Sequence, residues 1–111
     1  MHTSEMEKRT GLRVNLESVA GLRIDGVVNA VYAIDISSGG IKIGRPQLCL
    51  NLGAPVEVFI EKHGARHQFP GRVLRADGSH FVNRLKCSVS AYFVEISDDG
   101  YRKFLHENYF I

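Results

Sequence analysis

Between Leu22 and Ser37 the chain alternates between two kinds of position and then breaks on a pair of glycines. Leu22, Ile24, Gly26, Val28, Ala30, Tyr32, Ile34 and Ile36 share one parity and are mostly apolar, while the other mixes Arg23, Asp25, Asn29, Asp35 and Ser37 with Val27, Val31 and Ala33. Strand side chains alternate between faces, so Ile34 and Ile36 are expected to enter a core. Asp35 and Ser37 then stand side by side on the opposite face, about 7 Å apart, just ahead of Gly39 and Gly40, where the backbone is free to take positive φ. The run is long enough for one bent strand or for two, with Gly26 or the region of Asn29 holding the bulge or turn. A carboxylate and a hydroxyl beside a glycine turn make a small polar receptor for a ligand with hydrogen-bond donors.

The flanking sequence continues in short strands. Leu12, Val14 and Leu16 alternate as a first strand from Leu12 to Glu17, with Gly21 expected to close the turn after it, and Ile41 and Ile43 resume the pattern after the glycines until Gly44-Arg45-Pro46 ends it. Residues 47–55 read as a connection. Val56, Val58 and Ile60 oppose Glu57, Phe59 and Glu61 in the cleanest strand of the chain. His63–His67 is expected to be a hairpin loop, with a return strand from Gln68 to Ala76 that places Gly71 at a bulge and Pro70 at an edge. A turn follows at Asp77-Gly78-Ser79, and Phe81–Ser90 reads as a strand leg or a longer loop. Tyr92, Val94 and Ile96 alternate again. The period then switches: Tyr101, Phe104, Leu105 and Asn108/Tyr109 recur at three and four, with Ser97 or Asp98 placed to cap a helix. The fold expected is all-β with one short C-terminal helix, a small antiparallel barrel. Periodicity does not separate a barrel from a sandwich.

With 111 residues, the chain has room for one core and one domain. Its net charge of +2 is too small to point to nucleic acid by itself. No stretch approaches the roughly 20 apolar residues that span a bilayer. The polar start, with Glu5, Glu7, Lys8 and Arg9 ahead of any apolar run, shows no secretory leader. A cytoplasmic protein with Cys49 and Cys87 as free thiols is the expectation.

Upstream of the alternating run lies Arg9-Thr10-Gly11-Leu12-Arg13, two guanidinium groups four residues apart. Arg-x-x-x-Arg followed, after a strand region, by Asp-x-Ser-x-x-Gly resembles the signature of the PilZ domain, the bacterial receptor for cyclic di-GMP. Arg9, Arg13, Asp35, Ser37 and Gly40 occupy every position of that signature. The resemblance covers roughly residues 8 to 108. It implies a six-stranded antiparallel split barrel over about 12–97, a C-terminal helix over about 98–108, and a flexible tail over 1–8 ahead of a domain spanning 9–111.

The resemblance implies cyclic di-GMP as ligand, without a cofactor, metal or catalytic residue. The residue chemistry agrees. An arginine fork suits phosphates and the O6/N7 edge of guanine, and a carboxylate, which only accepts, suits the N1–H and amine edge. Arg9 and Arg13 therefore answer the phosphates and acceptor edge, Asp35 and Ser37 answer a base, and Gly39 and Gly40 let the backbone approach or turn. Lys8 supplies a third cation, compatible with two stacked ligands per chain. The arginine segment is expected to order on binding and to signal to a protein effector, as a monomer or weak dimer.

Three rival readings remain. One is a PilZ-fold interaction module that binds no nucleotide. Another is a small nucleic-acid-binding barrel, with Phe59, Phe69, Phe81 and Tyr92 stacking near Arg66, Arg72, Arg75 and Arg84. The third, a metal site at His63, His67 and His80, has no closed zinc spacing behind it. No nucleophile elbow, phosphate loop or paired catalytic carboxylates occur, so the chain is not read as an enzyme.

Overall fold

A computed structural model describes residues 13–44, 50–77 and 91–109. Six strands follow in order: β1 (Arg13–Ile24), β2 (Val27–Ser37), β3 (Gly40–Gly44), β4 (Pro55–Lys62), β5 (Ala65–Asp77) and β6 (Ala91–Glu95), then the helix α1 (Asp99–Asn108). The strands close into an antiparallel barrel in the order β1-β2-β3-β6-β5-β4, and β4 returns to β1 through Gly21↔Phe59, Leu22↔Val58 and Arg23↔Glu57. The all-β barrel with one C-terminal helix expected from the sequence is thus the fold observed.

The long alternating run is a hairpin. Asp25 (φ 52°) and Gly26 (φ 81°) both take positive φ and turn the chain in two residues. Such a turn matches the right-handed twist of its flanking strands, and Asp-Gly is a preferred sequence for it. The tight turn fixes the register, with Ala20 opposite Val31 and Val19 opposite Tyr32. Directly opposed side chains share a face. Val31 and Ala33 are consequently buried, whereas Val28 and Tyr32 are 51% and 46% exposed. This reverses the single-parity reading for the first half of β2.

A bulge then restores that reading. From Ala33↔Ile43 to Asp35↔Lys42, β2 advances two residues while β3 advances one, leaving Ile34 as the extra residue. One inserted residue flips every later side chain to the other face. Ile36 is fully buried opposite Ile41, which turns Asp35 and Ser37 outward as the sequence suggested.

Three other expectations are corrected. Gly21 closes no turn: β1 runs through it to Ile24, paired with Ala30 on one side and Phe59 on the other. The β4–β5 connection is only His63-Gly64, again with positive φ at both residues, so Arg66 and His67 belong to β5 rather than to a loop. The irregularity of β5 against β6 falls between Val73 and Arg75, not at Gly71. Pro70 does sit beyond the end of β6, whose pairing with β5 starts at Arg72. The missing N–H therefore costs no ladder bond on that side.

The helix closes one end of the barrel. Asp98 caps it, accepting from the Tyr101 amide at 3.2 Å, and Asp99 adds negative charge to the first turn. Tyr101, Phe104 and Leu105 form its buried stripe. Phe104 packs 5.3 Å from Phe69 and 4.5 Å from His67, ring centre to ring centre, and Tyr101 meets Phe69 edge-on at 5.2 Å. That packing brings the Tyr101 hydroxyl to the β2–β3 turn.

Candidate ligand-binding face

The strand register lays the motif residues on the outside of the barrel in two adjacent rows. One runs Arg13, Ser37, Gly40, Glu95, Arg72 across β1, β2, β3, β6 and β5. The other runs Asn15, Asp35, Lys42, Phe93, Arg75 across the same strands. Arg13, Asp35, Ser37, Gly39 and Gly40 are therefore brought together at one end of the face. Lys8 and Arg9 lie outside the described residues, as do Cys49, Cys87, His80, Phe81 and Arg84.

Asp35 is 9% exposed, the only buried charged side chain among the described residues. Its Oδ1 lies 4.0 Å from Nε of Arg13, whose side chain is 55% exposed. A pair at that distance with one partner in solvent contributes between zero and about 1 kcal/mol. The backbone of β2, not the ion pair, sets the position of Asp35. The carboxylate and guanidinium stand side by side across β1 and β2.

The turn beneath them is held from inside. The Tyr101 hydroxyl lies 2.5 Å from the Ser37 carbonyl oxygen and 2.8 Å from that of Gly40, donating its one proton between the two. Ser37 Oγ makes a longer approach, donating to the Gly40 carbonyl at 3.4 Å. Burial keeps the Tyr101 phenol neutral and pushes its pKa well above the usual tyrosine value. Gly40 is required by the barrel itself: a Cβ there would sit 2.0 Å from the Val94 carbonyl oxygen of β6. The glycine of the motif thus serves the β3–β6 approach whatever binds outside.

Sequence reasoning missed three residues at this site and placed a fourth, Arg75, only on the rival nucleic-acid surface. Tyr101 was legible as a core position of the helix, but nothing in sequence indicated where its hydroxyl would go. Lys42, Phe93 and Arg75 stand in the Asp35 row, and the outward positions of Lys42 and Phe93 follow from their buried neighbours Ile41, Ile43, Tyr92 and Val94. A shallow hollow of about 360 Å³ beside the first row is bounded by Gly71, Arg72, Glu95 and Asp98. A larger one of about 430 Å³ lies elsewhere, over Gly21 and Phe59, with apolar walls at Val19 and Val28. The polar chemistry of the motif, not concavity, marks the candidate site.

The family model for the PilZ domain matches residues 7–106. The chain belongs to the PilZ domain family. Its barrel is similar to the PilZ domain of CeSA from a cellulose-synthesizing bacterium, with a TM-score of 0.61 at 14% identity over 84% of this chain and 87% of that one. It is also similar to an uncharacterized Legionella protein, with a TM-score of 0.55 at 13% identity over 85% of each chain. No curated protein matches the chain. PilZ domains are binding and adaptor modules, generally receptors for cyclic di-GMP.

The rival surfaces fare less well. Phe69 and Tyr92 are core residues at 5% and 4% exposure. Phe59 is likewise only 5% exposed, packed beneath Arg23 and Arg66, whose guanidinium carbons lie 5.1 and 5.2 Å from its ring centre. Those three rings are not presented for base stacking. Among the described residues, no group of three His, Cys, Asp or Glu side chains is placed to hold a metal ion. No described helix is long and apolar enough to cross a membrane.

Proposed function

We propose that this PilZ domain binds cyclic di-GMP on the outer face of β1–β3 and relays its presence to a protein partner. The observation that carries the reading is the facing of Arg13 and Asp35 beside Ser37. A carboxylate that only accepts and a guanidinium that only donates stand on one ledge, in the motif order of the family. Asp35 accepts from N1–H and the exocyclic amine of a guanine. Arg13 takes a phosphate, or the O6/N7 edge, with two parallel bonds. Lys8 and Arg9 join it from outside the described residues, and Lys8 provides for a second stacked ligand.

Ordering of that N-terminal segment against the Asp35–Gly40 turn is the proposed output step, since phosphate contacts commonly fix such segments. The partner then meets ligand, segment and barrel rim as one surface.

Titration calorimetry with cyclic di-GMP and cyclic di-AMP tests the binding. Adenine lacks O6 and the donor pair that Asp35 reads, and one good bidentate base contact discriminates by about 1–3 kcal/mol. Binding of the guanine ligand with at least tenfold preference supports the reading. Equal affinity for both ligands, or no heat with either, refutes it.

A further inference from the structure

The Asp35 row does not stop at the motif. Crossing the barrel from Asp35, the next outward positions are Lys42, then Phe93, then Arg75. Arg75 is exposed and lays its guanidinium over the half-buried Phe93 ring, with Cζ 4.6 Å from the ring centre. Phe93 takes no part in the hydrophobic core, although Tyr92 and Val94 on either side of it both do. The Phe93 ring reaches back to the motif turn: a Cβ on Gly39 would lie 3.8 Å from Phe93 Cζ, an ordinary contact.

A cation–π contact on a barrel exterior is by itself ordinary structure. Its placement gives this one a use. Neighbouring strands lie about 4.8 Å apart, so Asp35 and Phe93, two strands removed, are separated by roughly 10 Å along the row. A cyclic dinucleotide carries two bases on a ring small enough to present both to such a ledge. The base nearer β2 meets a carboxylate, which reads its edge. The base farther along meets a planar guanidinium backed by an aromatic ring, with Lys42 at the neighbouring position of the row. Guanidinium planes and aromatic faces both take stacked bases, and they do so without reading hydrogen-bond edges.

We infer that Arg75 and Phe93 form a stacking platform for the second base of the ligand. This rests on the cyclic di-GMP reading and adds a division of specificity to it. One station, at Asp35, selects guanine. The other, at Arg75 and Phe93, accepts any purine. The mixed cyclic GMP–AMP dinucleotide is therefore a ligand as well, bound with its guanine at Asp35 and its adenine on the platform.

The test is calorimetry on the full chain with cyclic di-GMP, cyclic GMP–AMP and cyclic di-AMP, for wild type and three variants. Arg75→Lys keeps the charge and discards the plane, Phe93→Leu keeps an apolar side chain and discards the ring, and Asp35→Ala removes the edge reader. Wild type is expected to bind the mixed ligand within about fivefold of cyclic di-GMP and cyclic di-AMP far more weakly. Arg75→Lys and Phe93→Leu are expected to weaken both guanine-containing ligands by about five- to a hundredfold, the range for one base stack. The salt dependence of Arg75→Lys is expected to match wild type, because the charge is retained. Since Arg75 is exposed, that variant remains informative even where Phe93→Leu disturbs folding. Wild-type affinity in Arg75→Lys, or a mixed ligand as weak as cyclic di-AMP, overturns the platform and leaves the parent reading standing provided Asp35→Ala still loses cyclic di-GMP. Failure of wild type to bind cyclic di-GMP overturns both.

Discussion

The two ends of the β1–β2 ladder put opposite chemistry on the outside of one barrel. Toward the Ser37 turn the outward residues are Arg13, Asn15, Asp35 and Ser37. Toward the Asp25-Gly26 turn they are Val19, Val28, Ala30 and Tyr32, with Val19 71% exposed. A bulge in each strand, between Asn15 and Ser18 in β1 and at Ile34 in β2, separates the two ends. The polar end is also built on from inside, because Tyr101 holds both carbonyls of its turn. Polar residues at the surface need no such support for solubility; a turn that must present a carboxylate in one position does. At the other end Val19, Val28 and Tyr32 are exposed beside Arg23, which pairs with Glu57.

If the polar end is structurally committed, the most damaging substitution is the one that breaks its floor. Gly40→Ala drives a Cβ into the Val94 carbonyl, and neither backbone can retreat without opening β3 from β6. A loss of about 3 kcal/mol or more in denaturant unfolding is expected. A loss below about 1 kcal/mol would show that the β3–β6 approach relaxes easily.

Next come the side chains of the face itself. Arg13→Ala and Asp35→Asn should each weaken cyclic di-GMP binding by roughly 1.5–3 kcal/mol, the range for hydrogen bonds to charged groups. Arg13→Ala should leave stability within about 0.5 kcal/mol, since its pair with Asp35 is long and half in solvent. A melting temperature that falls while affinity holds would make Arg13 a structural residue.

Tyr101→Phe should cost about 1–2 kcal/mol of stability, because two carbonyls lose their shared donor. The same phenol predicts an alkaline limit. The unfolded chain ionises it near pH 10, while burial holds it neutral in the folded chain. Its contribution is full below about pH 10 and falls as pH rises beyond that value. Tyr101→Phe should flatten part of the alkaline decline in urea-unfolding free energy; an unchanged slope would show that the phenol does not drive it.

The smallest effect is expected at the other end of the ladder. Tyr32→Thr, at an exposed strand position, should change stability by about 0.5 kcal/mol or less and leave cyclic di-GMP affinity untouched. A clear loss of affinity would mean that the two ends act as one site.

Much of this is legible in the sequence. The association of Arg13 with the Asp35–Gly40 turn was implied by the resemblance to the PilZ signature, and the helix stripe at Tyr101, Phe104 and Leu105 followed from its spacing. The face assignment of Val28 to Tyr32 failed for a physical reason. A period of two carries no record of a turn or an inserted residue, and Asp25-Gly26 and Ile34 each reset it. The Asp-Gly dipeptide was a hairpin signal present in the sequence; the bulge at Ile34 left none, because it exists only relative to β3. Phe59 was misjudged in a related way. It lies on the outer face as read, yet Arg23 and Arg66 cover it from β1 and β5, and no local pattern reports a neighbour that distant in sequence.

Amide chemical-shift mapping during a cyclic di-GMP titration tests the central claim most directly, because it asks which end of the ladder holds the ligand. The account predicts the largest shifts at Arg13–Asn15, Asp35–Lys42 and Phe93–Glu95, with Val28–Tyr32 and Phe59 nearly still. Shifts centred on Val19, Val28–Tyr32 and Phe59, with Asp35–Gly40 unmoved, would contradict it.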